Sequence, residues 1–239
     1  MTHEIYWDTP GAPCDLAALK HTARYHVSPN ACRGLGPRLK PGQTLDPQKL
    51  RAELLGGCFQ ARQVFYAHRG LPLYCLEFYG AATEDHQGSL TAEVQDRQIV
   101  SWLLGAPLVF SGDLSTLSDQ HLAHYQKRFA TLNRLHQSWG IYRRFQFSGV
   151  PSPNDDDWHW WGKLNENGSG AVVVLRGSAG AERRRINIPW VKPDRQYTVT
   201  SLFGEKRLGL FSGQELQNAG VELNLPVHGQ EILELAIRN

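Results

Sequence analysis

The hydrophobic pattern of this chain changes its period near the middle. Up to about residue 147, helix-like and strand-like stretches alternate. Residues 47–68 carry Leu50, Leu54, Phe59, Val64 and Phe65 at roughly helical spacing. Pro47 stands at an early helix position, Gly56-Gly57 weakens the centre, and Arg69-Gly70 ends the stretch. Residues 71–79 form a nearly unbroken apolar run between Gly70 and Gly80, the pattern of a strand buried on both faces in a parallel sheet. A polar loop over 81–88 leads into a predicted helix over 90–104. A second buried strand over 106–111 follows and runs into Gly112-Asp113. Ser118 is then a good N-cap and Asp119 suits the positive helix start. Leu122, Tyr125, Phe129, Leu132 and Leu135 recur three or four residues apart, which predicts a third helix. Residues 4–8 and 23–28 read as further strands. Strand, helix, strand, helix in this order means parallel pairing through right-handed crossovers.

Residues 148–157 break the pattern. Gly149, Pro151, Pro153, Asn154 and three consecutive aspartates make a polar, turn-rich segment, the expected boundary between residues 1–147 and 148–239. Beyond it a Trp-rich stretch (Trp158, Trp160, Trp161) and short runs at 171–175, 185–189, 196–202, 221–225 and 231–237 are separated by Gly or Pro. Several alternate apolar with polar, which predicts an antiparallel β-sandwich.

Composition narrows the function without naming it. At 239 residues the chain has room for one or two domains. A net charge of +2 lacks the concentrated excess of one sign that nucleic acids demand, and Arg183-Arg184-Arg185 reads as a solvated turn. No apolar run reaches the roughly 20 residues that span a bilayer, so no membrane is expected. The first residues lack a signal-peptide pattern, which predicts a cytoplasmic protein. Cys14, Cys32, Cys58 and Cys75 are scattered with no C-x-x-C, so free thiols in a reducing compartment are expected and a zinc site is not. There is no Gly-rich phosphate loop, serine-hydrolase elbow or metal-spaced cluster, and no cofactor is expected.

One stretch carries a likeness. Ala106-Pro-Leu-Val-Phe-Ser111, the turn Asp113-Leu-Ser-Thr-Leu-Ser118, the helix to Leu135-His-Gln137 and the exit Gly140-Ile-Tyr-Arg-Arg144 together resemble the end of the barrel in α-galactosidase-like glycoside hydrolases, the melibiase group of families 27 and 36. The likeness runs from about residue 95 to the C-terminus. It implies an α/β fold, a partial (β/α) barrel over 1–147, followed by an all-β antiparallel sandwich over 148–239. It also implies retaining hydrolysis of an oligosaccharide or α-glycoside by two carboxylates, which must stand about 5–5.5 Å apart. Asp8, in Tyr6-Trp7-Asp8, matches the nucleophile of that group. Its acid/base has no clear counterpart. Glu77 is the candidate, because barrel enzymes keep such groups at the C-terminal ends of strands. Trp7, His26, Asp85 and Asp113 are candidate substrate contacts, and Asp113 equally suits the capping of its turn.

A whole barrel needs roughly 200–250 residues, and about 145 precede the sandwich. Half a barrel exposes strand edges. Three readings follow: an enzyme whose N-terminal barrel half is missing, a homo-oligomer in which another chain supplies the strands, or a non-catalytic remnant. A remnant would bind carbohydrate, with Trp158 and Trp160 sharing one face of a strand and Trp161 the other, or act as a scaffold.

Overall fold

The computed structural model describes residues 78–82, 88, 90–102, 108–111, 115, 117–141, 146–147 and 157–238. Its first part is a strand–helix–strand–helix run. Strand β1 (Phe78–Ala82) is followed by helix α1 (Ala92–Trp102), strand β2 (Leu108–Ser111) and helix α2 (Asp119–Trp139). β1 and β2 pair in parallel, from Phe78 opposite Leu108 to Ala82 opposite Ser111. The register slips at Gly80, so β1 continues through the glycine expected to end it and stops at Ala82. A glycine weakens a strand without stopping it, and one extra residue is absorbed as a bulge.

α2 forms where its pattern predicted. The Ser118 side chain accepts from His121 N, and Gly140, at φ 65°, donates its N–H to His136 O at 2.8 Å. The left-handed conformation at that last position suits glycine. Tyr125, Leu132 and Leu135 are buried, with Leu122 and Phe129 beside them. Thr91 stands just before α1, and its Oγ1 accepts from Val94 N at 3.4 Å.

The second part is antiparallel. β3 (Gln146–Phe147), β4 (Trp158–Leu164), β5 (Gly170–Arg176), β6 (Arg183–Ile186), β7 (Gln196–Ser201), β8 (Lys206–Ser212), a short helix α3 (Gly213–Asn218), β9 (Val221–Asn224) and β10 (Gln230–Ile237) follow in order. Six of these strands make one sheet in the order β3-β4-β5-β10-β7-β8, and β6 and β9 make a separate ribbon. β3 lies before the turn-rich segment 148–157 and still joins this sheet.

The six-stranded sheet is covered on both faces. On one side Trp161, Ala171, Val173, Leu175 and Ile232 share a core with Val94, Ile99 and Val100 of α1 and Tyr125, Leu132 and Leu135 of α2. On the other, Trp158, Leu164, Val172, Val174, Tyr197, Val199, Leu233 and Leu235 meet Ile186, Val221 and Leu223 of the ribbon and Leu216 of α3. All seven residues of β5 are buried. That is why its Ala-Val-Val-Val-Leu run shows no alternation: adjacent side chains point to opposite faces, and both faces are dry.

Two expectations change. Arg183-Arg184-Arg185 is a strand, not a turn: Arg183 and Arg185 are exposed on its outer face, while Arg184 points the other way, over Trp160. The expected pair of Trp158 and Trp160 does share a face, but Trp158 is buried, with its Nε1 donating to Ala181 O at 2.7 Å, and Trp161 is fully buried on the opposite face. Neither Trp158 nor Trp161 offers a ring to a ligand.

Candidate functional site

Asp8, Trp7, His26, Glu77, Asp85 and Asp113 all lie outside the described residues. What is described are the strand ends that neighbour three of them in sequence. Ala82, the last residue of β1, stands opposite Ser111, the last residue of β2, so two parallel strands finish side by side. Asp85 follows the first of these ends in sequence and Asp113 the second, whereas Glu77 precedes β1. In parallel α/β folds, ligands gather at the carboxyl ends of the strands.

The described ionisable groups serve mainly to hold layers together. Asp96 of α1 is buried and accepts from Arg128 of α2 at Nε (2.7 Å) and Nη2 (3.0 Å), with His124 Nε2 at 2.7 Å from the same carboxylate. The Arg128 guanidinium also lies 4.3 Å from the Phe203 ring centroid. Phe203 sits in the β7–β8 turn, which is fixed by the buried Glu231 carboxylate. That carboxylate accepts from Ser201 Oγ (2.6 Å), Phe203 N (2.8 Å), Gly204 N (3.2 Å) and Ile232 N (2.9 Å). Lys127 and Glu205 pair across the same junction. Further along α2, Arg134 grips Glu234 with two 2.8 Å bonds, and Trp139 Nε1 donates to the same carboxylate at 2.9 Å. Burial raises the Glu234 carboxyl, but these donors outweigh it and leave it below its ordinary value.

Lys163 on β4 is buried, and burial pushes its ammonium down to about 8. The same effect raises the Tyr125 phenol well above its usual range. Among the described residues no three His, Cys, Asp or Glu side chains converge as a metal site, and no helix is long and apolar enough to cross a membrane.

A second polar group sits at the rim of the ribbon. Trp160 is half-buried and donates its Nε1 to Asn187 O at 2.9 Å. Arg184 lies 5.6 Å from its ring centroid and bonds Asp157 Oδ1 at 3.1 Å. Sequence reasoning picked out Trp160, read Arg184 as part of a solvated turn and passed over Asn187 and Trp190. These come from β6 and from residues just after it, and only the fold brings them to β4.

A parallel strand–helix–strand unit, with an antiparallel sandwich packed on its helices, defines the class. The chain has the fold of the C-terminal portion of α-galactosidase-like glycoside hydrolases. The β-L-arabinopyranosidase of Geobacillus stearothermophilus, solved with arabinose, matches 97% of this chain and 50% of its own at a TM-score of 0.59 and 16% identity. The α-galactosidase of Lactobacillus brevis matches 79% of this chain and 25% of its own, at 0.57 and 16%. A Geobacillus stearothermophilus α-galactosidase in complex with raffinose matches 90% and 29%, at 0.54 and 15%. The chain therefore spans about a quarter of these α-galactosidases and half of the arabinopyranosidase. No family model and no curated protein matches the sequence.

Proposed function

We propose that this chain is the C-terminal part of a retaining α-glycosidase of α-galactosidase type, with the last βα units of a barrel and the sandwich packed against them. The observation that carries this reading is the extent of the structural likeness. It covers 97% of the chain in the arabinopyranosidase, and so takes in the parallel and antiparallel parts together. The parallel pairing of β1 and β2 supports the barrel half, because a parallel pair needs further strands at its edges.

On this reading the substrate is an α-galactoside or related oligosaccharide, the kind of ligand present in the raffinose and stachyose complexes of the similar enzymes. Asp8 attacks the anomeric carbon. A second carboxylate, with Glu77 as the sequence candidate, protonates the leaving oxygen and later activates water. Trp7, His26, Asp85 and Asp113 contact the sugar. No cofactor is needed for these steps.

The test is turnover of an aryl α-galactoside panel by the 239-residue chain, with Asp8→Asn and Glu77→Gln beside it. Loss of at least about a hundredfold in either variant supports the assignment, on the scale of acid–base and nucleophilic contributions. A well-folded chain without turnover favours the rival reading, a carbohydrate-binding or scaffold remnant. Recovery of activity on adding a separately produced N-terminal barrel half, or only in a homo-oligomer, would locate the missing strands.

A further inference from the structure

On the ribbon-covered face of β4, the covering layer thins along the strand. At position 158 the indole is buried; at 160 it is only half-buried, and its edge is fixed by the bond from Nε1 to Asn187 O. At 162 there is no side chain, and the ring of Trp190 fills the space: a Cβ on Gly162 would stand 2.8 Å from Trp190 Cε3. Trp190 is also half-buried. Positions 160 and 162 share a face about 7 Å apart along a strand, so two partly open indoles lie beside one another at the rim.

Polar groups adjoin them. Arg184 lies over Trp160 and is tied to Asp157, and both side chains are substantially exposed, at 39% and 49%. Asn187 is exposed as well. Beside Trp160 the charges pair. Arg184 faces Asp157, while Arg183 and Arg185 each stand 3.8 Å from Glu222. A phosphate or nucleic-acid ligand needs a concentrated positive field, and beside Trp160 the Arg184 guanidinium is already paired with Asp157. Flat apolar rings beside paired donors and acceptors suit a neutral polyhydroxyl ligand. The C–H face of a sugar ring lies on an indole while its hydroxyls meet the guanidinium and carboxylate.

We propose that this rim binds a neutral oligosaccharide, with Trp160 and Trp190 under the sugar rings and Arg184 and Asp157 holding hydroxyls. It lies on the face of the six-stranded sheet turned away from α1 and α2. The choice of a glycan rests on the glycosidase reading above, and the role is to hold substrate without reacting.

The test is binding of raffinose and stachyose to the full chain by titration calorimetry, with Arg184→Ala and Trp160→Phe compared and circular dichroism checking the fold. Arg184→Ala should weaken binding about tenfold, the cost of losing one well-placed hydrogen-bonding group. Asp8→Asn and Glu77→Gln should leave this binding unchanged, and the rim variants should leave turnover of a small aryl glycoside unchanged. Binding that survives Arg184→Ala and disappears in Glu77→Gln overturns the proposal, as does the absence of binding by a folded chain or tighter binding of inorganic phosphate. Turnover without rim binding would remove this site and leave the proposed function standing. Rim binding without turnover would do the reverse.

Discussion

Arg128 on α2 closes on Asp96 of α1 through two hydrogen bonds of 2.7 and 3.0 Å, with both side chains nearly out of solvent. This pair ties the helix between the two parallel strands to the helix that follows them. The Phe203 ring on the Arg128 guanidinium extends the link to the sandwich. Arg128→Ala would leave Asp96 buried with His124 as its remaining side-chain partner among those described. The expected loss is about 3–5 kcal/mol, the usual cost of stripping one member from a buried ion pair, read from urea unfolding midpoints. The double variant Arg128→Ala/Asp96→Ala should lose less than the sum of the two single variants, because the orphaned charge is gone.

Glu231 organises the β7–β8 turn through four accepted hydrogen bonds. In Glu231→Gln one carboxylate oxygen becomes an amide that faces donors. A loss of about 1–3 kcal/mol is expected. Amide hydrogen exchange at Phe203 and Gly204 should quicken more than at Val173 in the centre of the sheet, which separates a loosened turn from general destabilisation.

Glu234 is held below its ordinary carboxyl value by Arg134 and Trp139, despite the opposing effect of burial. A depressed acid contributes stability that is present above its unfolded value near 4.5 and is lost as pH falls through the folded value. Thermal midpoints of the protein should therefore drop as pH is lowered below about 4.5. In Glu234→Gln that part of the drop should vanish, while the variant starts lower at neutral pH.

Lys163 gives the opposite sign. Its folded value is about 8 against 10.5 when exposed. Between these values the unfolded chain binds more protons than the native one, so the Lys163 contribution makes stability rise with pH across that window. Comparing unfolding midpoints of the protein and Lys163→Met from pH 7.5 to 10.5, roughly the span between the two values, isolates it from the tyrosines. The variant should lead at the low end, and its lead should shrink as pH climbs.

What could be read from the sequence follows the strength of local signals. α2 was legible because a cap, an acidic first turn and five apolar residues at helical spacing all agreed, and the structure seats Ser118 and Gly140 at its two ends. β5, β7, β9 and β10 showed in their apolar runs. β8 was missed: Lys206 and Arg207 begin it, Gly209 interrupts it, and it lies at the sheet edge, where no buried face imposes alternation. α3 was missed although Ser212 and Glu215 form a reciprocal cap, since only Gly213 and Leu216 are buried among its six residues. The rim group of Trp160, Arg184 and Asn187 was illegible for a different reason. Trp160 is more than twenty residues from the other two, and only the β-ribbon folding over β4 brings them together.

The two-sided cover of the central sheet has a practical consequence for dissecting the protein. A fragment beginning at residue 148 would keep the ribbon and α3 but lose α1 and α2. Trp161, Ala171, Val173, Leu175 and Ile232 would then face water as one continuous apolar surface, and such a surface drives self-association. The helices of the strand–helix run are thus the second cover of the sheet, and the sandwich is one half of a joint whose other half travels on the same polypeptide.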